Sequence, residues 1–316
     1  MSYDTHTRRG FLQRAAAVAG SALVAARSAR LARAGAPGKL HLACNHYPWI
    51  VFYRREGRDF NASLDAGLAE VARSGVDGFE PIVTAPEQID ELAPLVKKHG
   101  LEMRSLYVNS VLHDPDQVDA SIAQVLAIGE KAKGAGTRII VTNPSPIRWG
   151  GPENKDDAQL RLQAKSLDRL GAGLKSMGLV LSYHNHDVEL RNAAREFHHM
   201  MLGTDPEHVT LCLDAHWIYR GSGNSSVALF DVVKLYGPRV TELHLRQSQE
   251  TIWTETLSDG DVDYPALAAR LLAIGVKPHV VLEQAVEQET PKTIGAVESH
   301  RASGEYARRV FAAFAG

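Results

Sequence analysis

Val209-Thr-Leu-Cys-Leu-Asp214 and Val240-Thr-Glu-Leu-His-Leu245 are two short β-like runs, each carrying an ionisable side chain at or near its end. Leu179-Val-Leu-Ser-Tyr-His184 precedes them and His279-Val-Val-Leu-Glu283 follows, so His184, Asp214, His244 and Glu283 are separated by 30, 30 and 39 residues. Each gap is about one strand–helix unit. In a parallel β/α barrel the strand ends converge on one rim, where side chains distant in sequence can meet around one ion. The spacing therefore predicts an α/β protein, a single (β/α)8 barrel.

The rest of the chain fits that reading. After Gly38, strand-like and helix-like segments alternate eight times. Strands are expected at 40–45, 78–82, 102–108, 137–143, 179–184, 209–214, 240–245 and 279–283, with helices between them. Leu160, Leu167, Leu170 and Leu174 form one stripe on the helix expected at 156–177. Residues 46–60, 144–155, 246–262 and 285–296 are the long irregular stretches, and all but one begin where a strand ends. They are expected to wall a pocket at the rim. A barrel needs roughly 250 residues, so 316 residues suit one barrel at 35–316 preceded by a leader at 1–34.

The leader reads as an address. Thr7-Arg-Arg-Gly-Phe-Leu-Gln13 resembles a twin-arginine export signal, the run 15–26 is apolar, and Ala32-Arg33-Ala34 offers small residues for cleavage. The expected location is the periplasm, reached through the twin-arginine machinery with the protein already folded. No later stretch has the apolar length of a membrane span. The leader also distorts the charge. Of 35 basic and 37 acidic side chains, it holds six arginines and Asp4, leaving 29 and 36 in the body, a net charge of −7. An acidic body argues against a nucleic-acid partner, whose affinity rests on Lys and Arg. Cys44 and Cys212 fall in strands far apart around the barrel and are expected as buried free thiols.

A carboxylate closing an apolar strand is costly to bury unless paired or bound to a cation, which favours Asp214 and Glu283 as ligands. With His244 and His184 they make a mixed N/O shell for one divalent ion. Mn2+ is the first expectation, with Co2+, Mg2+, Fe2+ and Zn2+ as alternatives. His186 shares a strand face with His184 and is the candidate general base or acid. Glu80, ending the second strand, is expected at the rim as a ligand or acid/base partner. Arg246, on the same face as His244, is a fixed cation for a carbonyl or enolate, with Asp261 a candidate to secure it. Asn45, His46, Tyr107, Asn109 and Trp217 are candidate substrate contacts, Glu189 is a candidate to bind a substrate hydroxyl or to orient a histidine, and Trp49 and Trp217 could face a sugar ring.

Five segments carry a resemblance to a known family: Tyr183-His-Asn-His-Asp-Val-Glu-Leu190, Leu213-Asp-Ala-His-Trp-Ile218, Glu242-Leu-His-Leu-Arg246, Gly260-Asp-Val-Asp-Tyr264 and Val281-Leu-Glu283. Together they resemble the xylose isomerase-like TIM-barrel superfamily, in its sugar phosphate isomerase/epimerase branch near inosose dehydratases and keto-sugar epimerases. The resemblance implies one divalent ion on Asp214, His244 and Glu283, with His184 where the family has Glu. Trp217 stands where many epimerases have His, and Arg246-Gln247 where Lys-Asp is usual. The implied chemistry is metal-assisted isomerisation, epimerisation or β-elimination of a keto-sugar or keto-glycoside. A metal-dependent hydrolase of the endonuclease-IV-like type and a non-catalytic sugar-binding barrel are the alternatives. The expected partner is a small carbohydrate, and nothing in the sequence decides for or against a homo-oligomer.

Overall fold

The computed structural model describes residues 38–315, so the expected leader at 1–34 lies outside the described residues. Eight strands form one parallel sheet: β1 (Leu42–Asn45), β2 (Gly78–Glu80), β3 (Ser105–Ser110), β4 (Ile139–Pro144), β5 (Val180–His184), β6 (Val209–Asp214), β7 (Val240–Leu245) and β8 (His279–Leu282). Each strand pairs with its sequence neighbour, and β8 pairs with β1. Bridges Gly78↔Glu102 and Ile82↔Tyr107 bring β2 to β3 and complete the circle. The chain is a TIM barrel.

Among the described residues, ten α-helices accompany the strands: α1 (His46–Arg55), α2 (Leu64–Arg73), α3 (Gln88–Lys98), α4 (Val118–Gly134), α5 (Asp157–Ser176), α6 (Arg191–Leu202), α7 (Ala215–Gly221), α8 (Ser226–Tyr236), α9 (Tyr264–Ala273) and α10 (Ala296–Val310). Their apolar stripes, such as Leu160, Leu167, Leu170 and Leu174 on α5, bury against outward strand residues such as Leu211 and Leu213. α5 opens with a capping box between Asp156 and Gln159, which satisfies two of its orphan N–H groups. Gly171 lies where α5 crosses the start of β6, and a Cβ there would stand 2.2 Å from the His208 carbonyl oxygen. Helix propensity favours alanine by up to about 1 kcal/mol, but the clash is with backbone and overpacking costs about 1–3 kcal/mol. Gly171→Ala is therefore expected to lower the urea midpoint of unfolding; a raised midpoint would show that the helix can slide outward freely.

The expected loop at 46–60 is instead mostly α1, and α7 is a further short helix without a counterpart among the expected elements. Both begin directly at a strand end, with no intervening loop. The Asn45 side chain accepts from the Tyr47 N–H at 2.7 Å, and Asp214 Oδ1 accepts from the Trp217 N–H at 2.8 Å. A polar strand-end residue thus doubles as the helix cap. Near the start of α6, Asn192, Ala193 and Ala194 all lie at positive φ. β3 begins three residues later than expected, because Glu102 contributes only an isolated bridge. A short ribbon pairs 248–249 with 252–253 inside the expected loop after β7. Cys44 and Cys212 are buried and unpaired, as expected.

Candidate active site

Side-chain alternation along parallel strands decides what enters the barrel. On β6, Leu211 and Leu213 point to the helices while Cys212 packs with Tyr107 and Val141 in a small separate cluster. On β7 the inward residues are Glu242 and His244, and Arg246, just past the strand end, continues on the same side. The register sets Asp214 beside His244, and His244 beside Val281 two residues before Glu283. His184, Asp214, His244 and Glu283 consequently meet at the end of the barrel where the strands finish.

His184, Asp214 and Glu283 can each offer one ligand atom, and these atoms all lie within 4.8 Å of one another. His184 Nδ1 lies 3.6 Å from Cys212 Sγ, leaving the buried Nε2 without a partner. Asp214 spends Oδ1 on the α7 cap, and its buried Oδ2 likewise has none. Burial pushes the Asp214 carboxyl up to about 7, with Arg246 the largest influence in the other direction. Two orphaned buried atoms, one from an imidazole and one from a carboxylate, beside a second carboxylate, Glu283, form a donor set that fits a divalent cation.

His244 adjoins this trio, its ring centroid 4.8 Å from that of His184 and its Nδ1 3.1 Å from Glu283 Oε2. Its Nε2 faces Glu80 Oε1 at 3.0 Å and Glu242 Oε1 at 3.2 Å. Burial opposes charge on His244, yet Cys212, Glu80 and Glu283 around it hold its pKa well above the usual imidazole range. Nδ1 is therefore the nitrogen facing the donor set, and the carboxylates behind Nε2 fix the ring, as supporting partners of ligating histidines do.

Above the donor set lies a cavity of about 400 Å³ that shares Glu283 with it. Of the residues expected at the site, Asn45, Tyr107, Asn109, His186, Trp217 and Arg246 line this cavity. Arg246 is 1% exposed, donates from Nε to the Glu283 carbonyl at 3.1 Å and pairs through Nη2 with Glu283 Oε2 at 3.2 Å. Its guanidinium carbon stands 4.3 Å from the Trp253 ring centroid and 4.9 Å from that of Trp217, a cation–π clasp. Nη1 remains without a partner. Glu283 is ionised: burial opposes this, but Arg246 and then His244 hold its pKa well below the carboxylate range. His186 carries an unpartnered Nδ1, and burial lowers its pKa to about 4, so the ring is neutral at pH 7.

Several expected contacts lie elsewhere. His46 is buried between Phe60 and Phe79, with ring centroids 4.9 and 5.3 Å away, because α1 turns it back towards the barrel wall. Trp49 is fully buried and stacks on His300 in the helix layer. Glu80 is fully buried and does not line the cavity; it is held by Asn45 Nδ2 at 2.6 Å, Ser105 Oγ at 2.7 Å and His244 Nε2 at 3.0 Å, and with Glu242 and His244 forms a second group of side chains that could hold a metal ion. Glu189 is wholly buried; its oxygens accept from Asn143 Nδ2 at 3.0 Å and the His186 N–H at 2.7 Å. It positions His186 and does not face the cavity. Asp261 ties down the ribbon through Ser248, Glu250 and Thr251, and Arg246 is secured by Glu283 instead. Asp263 caps α9.

Sequence reasoning missed Glu242, although its place two residues before His244 puts it on the same strand face. It also missed four cavity residues: Ile82, at the end of the expected second strand, and Tyr47, Trp149 and Trp253, on stretches read as irregular.

The model of the family described as "Xylose isomerase-like TIM barrel" matches residues 68–304. The chain belongs to the xylose isomerase-like TIM-barrel family. Among curated relatives, an inosose dehydratase of Clostridium perfringens is 24% identical over 229 residues, 62% of this chain and 74% of the relative. A sugar phosphate isomerase/epimerase from Parabacteroides distasonis superposes with a TM-score of 0.66 at 17% identity, covering 90% of this chain and 97% of that one. A 3-keto-D-glucoside 4-epimerase from E. coli gives 0.55 at 17% identity, covering 87% and 99%.

Proposed function

We propose that this barrel is a divalent-metal-dependent enzyme that removes a proton next to the carbonyl of a keto-sugar or keto-glycoside. Membership of the family and the inosose dehydratase relatives support a sugar-directed enzyme of the isomerase, epimerase or lyase type. The observation that carries the metal is the pair of unpartnered buried atoms, Asp214 Oδ2 and His184 Nε2, beside Glu283. Those three residues, with His244 Nδ1 adjoining, would hold the cation, and the mixed N/O donors suit Mn2+ among other divalent ions. Such an ion supplies Lewis acidity that makes the C–H beside a carbonyl easier to ionise.

The protein's own groups do the rest. His186, neutral and open at Nδ1, accepts the proton. Arg246 offers Nη1 to the oxygen on which negative charge grows, already fixed by two indoles and Glu283, so little reorganisation is needed. Return of the proton gives isomerisation or epimerisation; departure of a substituent one carbon further on gives dehydration or cleavage. Tyr107 and Asn109 stand where substrate hydroxyls would lie. With the leader read as a twin-arginine signal, the enzyme works in the periplasm and takes up its metal before export, away from tighter-binding Cu2+ and Zn2+.

Metal-loaded protein incubated in D2O with keto-sugars and 3-keto-glycosides should place deuterium on the carbon beside the carbonyl, read by proton NMR. His186→Ala should slow this exchange by about 10²–10⁴-fold. Tight binding of a substrate without any exchange would rule out proton abstraction. Cell fractionation of the full chain, with and without Arg8→Lys and Arg9→Lys, tests the location; periplasmic recovery of the doubly substituted chain would refute the twin-arginine route.

A further inference from the structure

Arg246 is held from two sides. Glu283 accepts from its Nε through the carbonyl and pairs with its Nη2, but the same carboxylate faces His244 and belongs to the cation donor set. The other support is the pair of indoles, Trp217 on α7 and Trp253 on the ribbon after β7, with ring centroids 5.5 Å apart. A line of three side chains outside the cavity lining sets that pair. Ser248 is the cross-strand partner of Trp253 in the ribbon. Its hydroxyl donates to Asp261 Oδ2 at 2.6 Å, and so accepts from the His216 Nε2–H at 2.9 Å, since a hydroxyl has one hydrogen to give. His216 is wholly buried and meets both indoles edge-on, its centroid 5.9 Å from that of Trp253 and 6.3 Å from that of Trp217. Asp261 also accepts from the N–H groups of Glu250 and Thr251 at 3.1 and 2.8 Å. Those two residues turn the ribbon at positive φ, 51° and 71°, a backbone that L side chains resist.

We infer that Asp261, Ser248 and His216 are positioning residues for Arg246. They lock the strained ribbon and wedge the two indoles, so that the guanidinium keeps Nη1 turned to the substrate oxygen. The effect on rate rests on the proposed role of Arg246; the effect on the guanidinium rests on geometry alone. None of the three lines the cavity, so each acts through Trp253 and Trp217 and not on the substrate. The line is no nucleophile either. Ser248 stands in its middle with its hydrogen given to Asp261, and the His216 nitrogen facing it is a donor, so no base is there to activate the hydroxyl. Because Arg246 lies against both rings, at 4.9 and 4.3 Å, a tilt of either displaces it. Misplacing a reacting partner by an ångström can cost about 100-fold in rate.

The test uses the metal-loaded full chain labelled with 15N-arginine. The Arg246 Nε–H, buried beside two indoles, should give a resonance displaced by their ring currents, identified by its loss in Arg246→Lys. Asp261→Asn keeps one oxygen for the turn but loses the other acceptor, and should move that resonance back towards those of exposed arginines. It should also lower kcat for deuterium exchange by about 10- to 100-fold, with KM within about twofold of wild type. Ser248→Ala cuts the line and leaves the turn capped, so it should do the same, and it carries the test if circular dichroism shows Asp261→Asn unfolded. Asp263→Asn, at the α9 cap two residues away, should leave both readouts unchanged. An unmoved resonance in the folded variants, an equal movement in Asp263→Asn, or a rise in KM with kcat kept would each overturn the inference. The chemistry is judged separately. A resonance that moves as expected in a protein whose wild type exchanges no deuterium keeps the brace and removes the proposed reaction.

Discussion

Asp214→Asn is expected to strip the protein of bound metal while leaving it folded. Asparagine retains an oxygen to cap α7 through the Trp217 N–H, so the helix start is preserved. What disappears is the charge and the free oxygen at Oδ2, one of the two orphaned donors. Asp214→Ala and Glu283→Ala should lose metal as well. Alanine at 214 also forfeits the cap, worth about 1 kcal/mol, and alanine at 283 leaves His244 and Arg246 without their shared partner. The asparagine variant is thus the cleaner measurement. Elemental analysis of protein folded in the cell should show less than about a tenth of wild-type metal, because disturbing even a supporting partner costs roughly 10- to 100-fold in affinity. Circular dichroism should stay unchanged and deuterium exchange should vanish. Full metal content in Asp214→Asn would remove Asp214 from the shell.

Glu242→Ala should destabilise the barrel by about 3–5 kcal/mol, the usual cost of stripping one partner from a buried ion pair. Glu242 is fully buried, with Oε1 3.2 Å from His244 Nε2 and Oε2 3.0 Å from His279 Nδ1. Burial by itself would raise its pKa, but bonds from His244 and then His279 hold it far below the carboxylate range, so it is charged in the fold. Taking it away leaves both imidazoles facing a void in a barrel interior that is otherwise polar at this level, with Glu80, Ser105 and Asn45 alongside. Glu242→Gln, which keeps an oxygen for one of them, should cost less. Urea unfolding followed by circular dichroism reads both. A Glu242→Ala midpoint within error of wild type would mean that water fills the space and that the carboxylate is not what holds the two rings.

The strands carrying the donor set were legible because they are short, apolar and closed by residues that are expensive to bury. β6 and β7 fall on the expected residues, as does the apolar stripe of α5. α1 escaped because Pro48 and a cluster of aromatics read as loop; proline is tolerated in a first turn, and the cap is a strand residue, Asn45. Glu80 and Glu189 were drawn to the site by their charge. Neither lines the cavity: Glu80 joins Glu242 and His244 in a second group of side chains that could hold a metal ion, and Glu189 accepts from Asn143 and the His186 N–H. Trp149 gave no signal, since a loop indole can pack anywhere.

From the sequence alone came the parallel barrel, the rim on which His184, Asp214, His244 and Glu283 gather, and the acidic body that speaks against nucleic acid. Those follow from residue periodicity and from the energetic penalty on buried charge, both of which are local and written along the chain. Tertiary structure alone decided which nitrogen of His244 faces the donor set, that Arg246 is clasped by Trp217, Trp253 and Glu283, and that Glu242 underpins the site. Each of these depends on the relative height and rotation of separate strands and loops, set by packing across the whole barrel, of which no single segment holds a record.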